Sequence, residues 1–203
     1  MNRRIGHELE FEGTVIRSYP YSDSHLILKV LTPTQGKVSL IAKSARQSKK
    51  RFSGSFDYFD TGKFRVKSQS HSSNALGNVV DFIPQKSFGE LRSNLDRLVA
   101  GSFLCEVFDS ILLEDSQDSS NFYQILILGL EAISKSDDLK NILKGCFLCL
   151  ATLLKQEGYL EDTPLIPTVK NLTYLIGIVE DHCSKELYSK KSIEELLKRL
   201  KTT

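Results

Sequence analysis

Five cationic side chains, Lys43, Arg46, Lys49, Lys50 and Arg51, fall within residues 43–52, and no acid interrupts them. Lysine and arginine at this density can neutralise a line of phosphates, but the same density also marks an ordinary solvated loop. A second set follows, in which Lys63, Arg65 and Lys67 alternate with Phe64 and Val66. A strand over these residues would turn one face apolar and the other wholly cationic. Phe52, Phe56 and Tyr58 lie between the two sets. Cations that track a backbone and aromatics on which bases stack are the ingredients of single-strand nucleic-acid binding. A solvated loop beside core aromatics explains the same residues about equally well on charge alone.

Other candidate chemistry is weaker. Cys146-Phe-Leu-Cys149 has the spacing of metal and redox sites, but it sits among Phe147, Leu148, Leu150 and Leu153, which reads as core packing. Cys183 beside His182 offers adjacent donors that rarely reach one zinc together. The histidines at 7, 25, 71 and 182 lie in no nucleophile pattern, and Thr34-Gln-Gly36-Lys37 is too short for a phosphate loop. Glu114, Asp115, Asp118, Asp137 and Asp138 fall at loop and helix-end positions, where solvation or capping accounts for them. The reading is therefore no catalytic residue, no metal and no cofactor.

Charge is unevenly spread along the chain. Residues 1–67 hold 13 Lys and Arg against 6 Asp and Glu, an excess of +7, while the remainder holds 14 against 19, or −5. A basic front half suits a polyanion and the acidic remainder suits another task. The longest strongly apolar uncharged stretch, residues 145–154, is far shorter than the roughly 20 residues of a membrane-spanning helix, and acids at Glu8, Glu10 and Glu12 argue against an export signal. Cysteines at 105, 146, 149 and 183 show no disulfide framework, which suits a reducing, cytoplasmic compartment.

The elements that must position the cations follow from periodicity. Residues 11–19, 25–32, 37–43, 58–67 and 75–82 alternate as strands, and five short strands is the count of an OB-type barrel. Pro33-Thr-Gln-Gly36 predicts a hairpin between the second and third. From Pro84 on the spacing turns helical. Ser87 with Glu90 predicts a helix start, further helices are expected over 121–134, 138–157 and 169–180, and Ser192 with Glu195 predicts the start of the last. The fold class is α+β: a five-stranded OB-fold β-barrel domain over residues 1–83, then an α-helical bundle domain over 84–203.

The order of residues adds specificity. Tyr21-Ser-Asp23-Ser24-His-Leu26, Thr32, Gly36-Lys37, Ala42-Lys43-Ser-Ala45-Arg46, Lys49-Lys-Arg51-Phe52-Ser-Gly54 and Phe59 succeed one another in a way that resembles the N-terminal pattern of the RecO family of bacterial recombination mediators. Phe88-Gly-Glu-Leu91, Leu95-Asp-Arg-Leu98 and Leu154-Lys-Gln-Glu-Gly158-Tyr also resemble that family. Ser44, Ser53 and Tyr58 depart from it, standing where glycine, glycine and proline are expected. Many members carry a four-cysteine zinc site near the C-terminus, of which only Cys183 remains in the corresponding part of this chain. The zinc module is expected to be lost and the tail shortened.

The resemblance implies a non-enzymatic, cytoplasmic, nucleoid-associated protein of bacterial DNA repair. It implies binding to single- and double-stranded DNA, annealing of complementary strands, contact with the acidic C-terminal tail of single-stranded DNA-binding protein, and work with RecR to load RecA, with no membrane partner. The DNA-contact role passes to the cations of residues 43–51 and, less directly, to Lys63, Arg65 and Lys67. Two rival readings stand beside it: an OB-fold adaptor that takes acidic peptides without DNA, and an enzyme whose carboxylates are gathered by folding.

Overall fold

A computed structural model describes residues 8–47, 52, 56–67, 76–114, 119–161 and 164–202. Five strands come first, β1 (Glu8–Tyr21), β2 (His25–Thr32), β3 (Gly36–Ala42), β4 (Asp60–Lys67) and β5 (Gly77–Ser87). They close in the order β1-β2-β3-β5-β4, with β4 paired back onto β1. All pairings are antiparallel except that of β3 with β5.

Closure depends on the length of β1. Its first half pairs with β4 through Thr14↔Thr61 and its second half pairs with β2 from Thr14↔Leu31 onward. Where the partner changes, the register slips between Val15 and Arg17. Such a bulge bends and twists a strand, which lets one strand serve two sides of a barrel. At the corner the Thr14 and Thr61 hydroxyls, both buried, hydrogen-bond to each other at 2.8 Å. The hairpin after β2 is also present: Gly36 takes φ +69°, and the Thr32 hydroxyl donates to the Gly36 carbonyl and accepts from the Gln35 N–H.

β2 matches its predicted bounds, β3 and β4 differ by one or two residues, and β1 and the end of β5 run beyond theirs. Ser87 is still in the sheet, paired with Asp60, and so does not cap a helix. The first helical turn, α1 (Gly89–Arg92), has no side-chain cap, and the chain restarts as α2 (Leu95–Ile111) with the Asn94 side chain accepting from the Arg97 N–H. The remaining helices are α3 (Ser119–Ser134), α4 (Leu139–Gln156), α5 (Val169–Cys183) and α6 (Lys190–Thr202). Asp138 and Thr168 cap α4 and α5 by accepting from Asn141 and Asn171 N–H groups, and Gly158 at φ +78° follows α4 as expected of a residue past a helix end.

The last helix starts before Ser192 because a long-range partner fixes its first turn. The Glu106 carboxylate, on α2, accepts from the Tyr188 and Ser189 N–H groups at 2.7 and 2.8 Å and from the Ser189 hydroxyl at 2.6 Å. No local sequence pattern announces a cap that comes from 83 residues away.

The chain divides into two compact units. One is residues 1–87 together with 114–120, and the other is residues 88–113 together with 121–203. In the first, Glu114 joins the barrel through the Lys29 ammonium and the Ser39 hydroxyl. Burial would raise its pKa, but those hydrogen bonds and the charges of Lys29 and Lys37 outweigh it and hold the carboxyl below its ordinary value. The helical unit buries Phe103, Leu104, Phe108, Leu126, Leu130, Phe147 and Leu150 as its core.

Candidate nucleic-acid interface

The basic run begins in a turn built from two distant pieces of sequence. After β3 the chain folds back on the β1–β2 turn: the Arg46 N–H donates to the Ser24 carbonyl at 3.1 Å and its guanidinium to the Ser22 carbonyl at 3.0 Å. The Ser44 N–H donates to His25 Nδ1 at 3.2 Å, which leaves the proton of a neutral ring on Nε2. The Ser24 hydroxyl lies 2.8 Å from the same nitrogen. Tyr21-Ser-Asp23-Ser24-His and Lys43-Ser-Ala45-Arg46, separate motifs in sequence, are thus the two halves of one contact. Lys43 and Arg46 leave the barrel from a pinned origin.

Ser44 sits at φ +60°, in the left-handed region that disfavours a Cβ. The resemblance leads one to expect glycine at this position, and a left-handed backbone suits glycine better than serine. Ser44→Gly is expected to stabilise the fold by about 0.5–1 kcal/mol, the relieved strain being partly offset by glycine's extra freedom when unfolded. A chemical-denaturation midpoint that does not rise would show that the serine fits without strain.

Lys63, Arg65 and Lys67 do share the exposed face of β4, with Phe64 and Val66 buried behind them. That face is not wholly cationic once its neighbours are in place. Register puts Glu12 opposite Lys63, Glu10 opposite Arg65 and Glu8 opposite Lys67, while Asp81 on β5 pairs with Arg65 at 3.3 Å. Exposed pairs of this kind add little stability, but directly opposite charges cancel one another's field within a few ångströms. Only Lys67 lies on a row that leads to the loop, through Asn78 of β5 to Ile41 of β3. Two strand spacings put these backbones about 10 Å apart. Lys49, Lys50 and Arg51 lie outside the described residues.

The aromatics proposed for base stacking are elsewhere. Phe52 and Phe56 are buried in the barrel core, edge to face at 4.8 Å, and Phe56 packs 5.2 Å from Phe82. Tyr58 tilts against Phe59, which is fully buried at φ +73° and donates its N–H to the Val15 carbonyl. The exposed rings beside the loop are Tyr19 and Tyr21, and the Arg17 guanidinium lies over the first, 5.9 Å from its centroid. Alternation of Arg17, Tyr19 and Tyr21 along β1 is the signal in the sequence that marks them.

The helical unit has a groove of about 680 Å³ between α4, α5 and α6. Leu143, Phe147, Leu172 and Leu197 form its apolar floor, and Lys140 and Lys144 stand at its exposed edge. Thr168 and Asp138, the caps of α5 and α4, also line it, so the positive ends of two helices face the same space. An apolar side chain next to a carboxylate would find complementary surroundings there.

The cysteine pair is core. Cys146 and Cys149 are both buried, donating weakly to the Ala100 and Ile125 carbonyls, and Gly129 lets α3 approach so closely that a Cβ there would lie 2.6 Å from the Cys149 sulfur. Burial pushes the Cys146 thiol up to about 12 and that of Cys149 well above its ordinary value, so neither is a thiolate near neutral pH. His182 is 3.0 Å from the Tyr159 hydroxyl, with the two rings tilted at 40° and their centroids 4.1 Å apart. Among the described residues no three His, Cys, Asp or Glu side chains are grouped to hold a metal ion. Among the same residues no helix is long and apolar enough to cross a membrane.

Comparison with known proteins converges on one family. The sequence model described as recombination protein O, N terminal, matches residues 7–82, which includes both halves of the pinned turn. DNA repair protein RecO of Anaeromyxobacter sp. (strain K) is 30% identical over 126 residues, covering 62% of this chain and 48% of that protein. DNA repair protein RecO of Syntrophus aciditrophicus (strain SB) is 27% identical over 176 residues, covering 78% and 66%. That of Clostridium perfringens (strain 13 / Type A) is 29% identical over 209 residues, covering 96% and 80%. The chain spans about half the length of the Anaeromyxobacter proteins it matches.

Proposed function

The chain is a member of the RecO family, and from that premise we propose that it is a DNA-binding recombination mediator in DNA repair. On this reading the barrel is an OB fold and residues 1–83 are its nucleic-acid-binding domain, while residues 84–203 form the domain that receives proteins. It acts without catalysing a reaction, in the cytoplasm at the nucleoid. Single- and double-stranded DNA are its ligands, and RecR and, indirectly, RecA are its partners.

The observation that carries the reading is the anchoring of the basic run. Hydrogen bonds from Arg46 and Ser44 onto the Ser22–His25 turn fix where Lys43 and Arg46, the first two cations of the run, leave the barrel. Lysine and arginine held so contact phosphates whatever the sequence. Two strands neutralised on one protein repel each other less, which favours their annealing. The proposed DNA contacts are Lys43, Arg46, Lys49, Lys50 and Arg51, with Lys67 next and Lys63 and Arg65 weakest, since Glu12 and Glu10 stand opposite them.

The groove in the helical unit is the proposed seat of the acidic C-terminal tail of single-stranded DNA-binding protein. Its apolar floor and its two edge lysines, Lys140 and Lys144, give the tail both kinds of contact it needs. The same groove favours the second reading, an adaptor that takes acidic peptides without DNA. Binding to a labelled oligonucleotide, titrated across salt concentrations, separates the two: the mediator binds at low salt with a log–log slope of about −0.7 per phosphate contact, and the adaptor does not bind. Lys140→Glu with Lys144→Glu is expected to abolish binding of a tail peptide while DNA affinity is unchanged. Peptide binding that survives both changes would move the seat elsewhere.

A further inference from the structure

We infer that Tyr19 and Tyr21 form a stacking platform for unpaired bases of a single DNA strand, a claim that rests on the DNA-binding reading above and names the form of DNA that this part of the barrel selects. Among the described residues of the barrel unit the phenylalanines serve the core: Phe52, Phe56, Phe59, Phe64 and Phe82 are buried, and Phe11 is partly buried against them. Tyr19 and Tyr21 are different, being 37% and 53% exposed.

Their placement follows from strand geometry. Residues two apart on a strand share a face, so Arg17, Tyr19 and Tyr21 make one row of side chains on β1. In register with them on β2 stand Lys29, Ile27 and His25, none of them acidic. Glu114 engages Lys29 at the far end of the row, but beside the tyrosines no acid stands in register, in contrast with β4, where a glutamate stands opposite every cation. The row ends at the turn that Arg46 and Ser44 grip, and β3 ends at Ala42, one residue before Lys43, so phosphate-binding charge begins where the tyrosines stop. Arg17 over the Tyr19 ring adds a guanidinium beside the platform.

Spacing decides between one strand and two. Side chains at positions i and i+2 of a strand are about 6.8 Å apart. Bases in a duplex are stacked at about 3.4 Å along each strand and offer no free faces. An extended single strand, with its bases unstacked, is the form that two rings so spaced can receive, one base on each. The occupant is therefore single-stranded, and the platform gives this region a preference for it that charge alone does not.

The test compares an oligothymidine with an abasic strand of the same length and charge, and with a duplex, using the full chain. The wild-type protein is expected to bind oligothymidine at least about tenfold more tightly than the abasic strand. Tyr19→Ala with Tyr21→Ala should remove that ratio, keep the salt slope and keep the duplex affinity within about twofold, whereas Tyr19→Phe with Tyr21→Phe should retain all three. A wild-type protein that binds both strands equally overturns the platform and leaves the DNA-binding reading standing, and so does an alanine variant that keeps the ratio. A wild-type protein that binds no DNA overturns both. The abasic comparison on the wild type needs no variant, so the platform is still tested if the double alanine protein does not fold.

Discussion

Replacing Lys43, Arg46, Lys49, Lys50 and Arg51 together by alanine is expected to lower the affinity for single-stranded DNA by about 3.5 orders of magnitude at 0.1 M salt and to reduce the log–log salt slope by about 3.5. Both figures come from one physical term. Each phosphate neutralised on a single strand releases about 0.7 of a counterion, so five contacts contribute about 3.5 to the slope, and that slope acting from 1 M down to 0.1 M salt amounts to about 3.5 decades of affinity. The count of five is the most this run can make. Replacing Lys63, Arg65 and Lys67 instead should cost far less, because Glu12, Glu10 and Glu8 stand opposite them and already moderate their field. Arg46 needs its own control, since its guanidinium also holds the Ser22 carbonyl. A variant that keeps Arg46 and loses the other four cations should retain the wild-type unfolding midpoint and still lose about 2.8 from the slope. Equal losses from the loop and the strand sets would place the DNA over β4, and an unchanged slope in the loop variant would remove the loop from the interface.

Much of this architecture was legible because the physics behind it is local. Alternating residues announced all five strands, Pro33 to Gly36 announced the hairpin, and Asp138 and Gly158 bounded α4 closely. What was hidden depends on residues far apart in the chain. The α6 cap comes from Glu106, and the Ser87 pattern failed because pairing with Asp60 kept that serine in β5. Charge on β4 looked undiluted because the acids that balance it, Glu8, Glu10 and Glu12, precede it by more than fifty residues and meet it only when the barrel closes. The fit between Ser44 and Ser22–His25 is a middle case: the order of motifs pointed to both pieces, and only the fold shows that each holds the other.

Phe56→Ala is expected to destabilise the protein by about 3–5 kcal/mol, the cost of deleting a large ring from a packed core. The ring is 2% exposed and in contact with three others: Phe52 at 4.8 Å, Phe82 at 5.2 Å and Phe64 at 6.4 Å. A site so enclosed cannot collapse without moving all three, which puts the cost toward the upper end. The consequence for function is the opposite of what its position beside the basic run suggests. If Phe56 stacked on bases, its loss would weaken DNA binding and leave the unfolding midpoint near that of the wild type. As a core residue it lowers the midpoint, while the fraction that remains folded keeps its preference for an oligothymidine over an abasic strand. On the stacking proposal Tyr21→Ala is expected to reverse both signs, because a half-exposed ring contributes little burial and is placed where a base would stack. Measuring denaturation and base-dependent affinity on the two single variants therefore sorts the aromatics of this barrel into those that build it and those that DNA would touch.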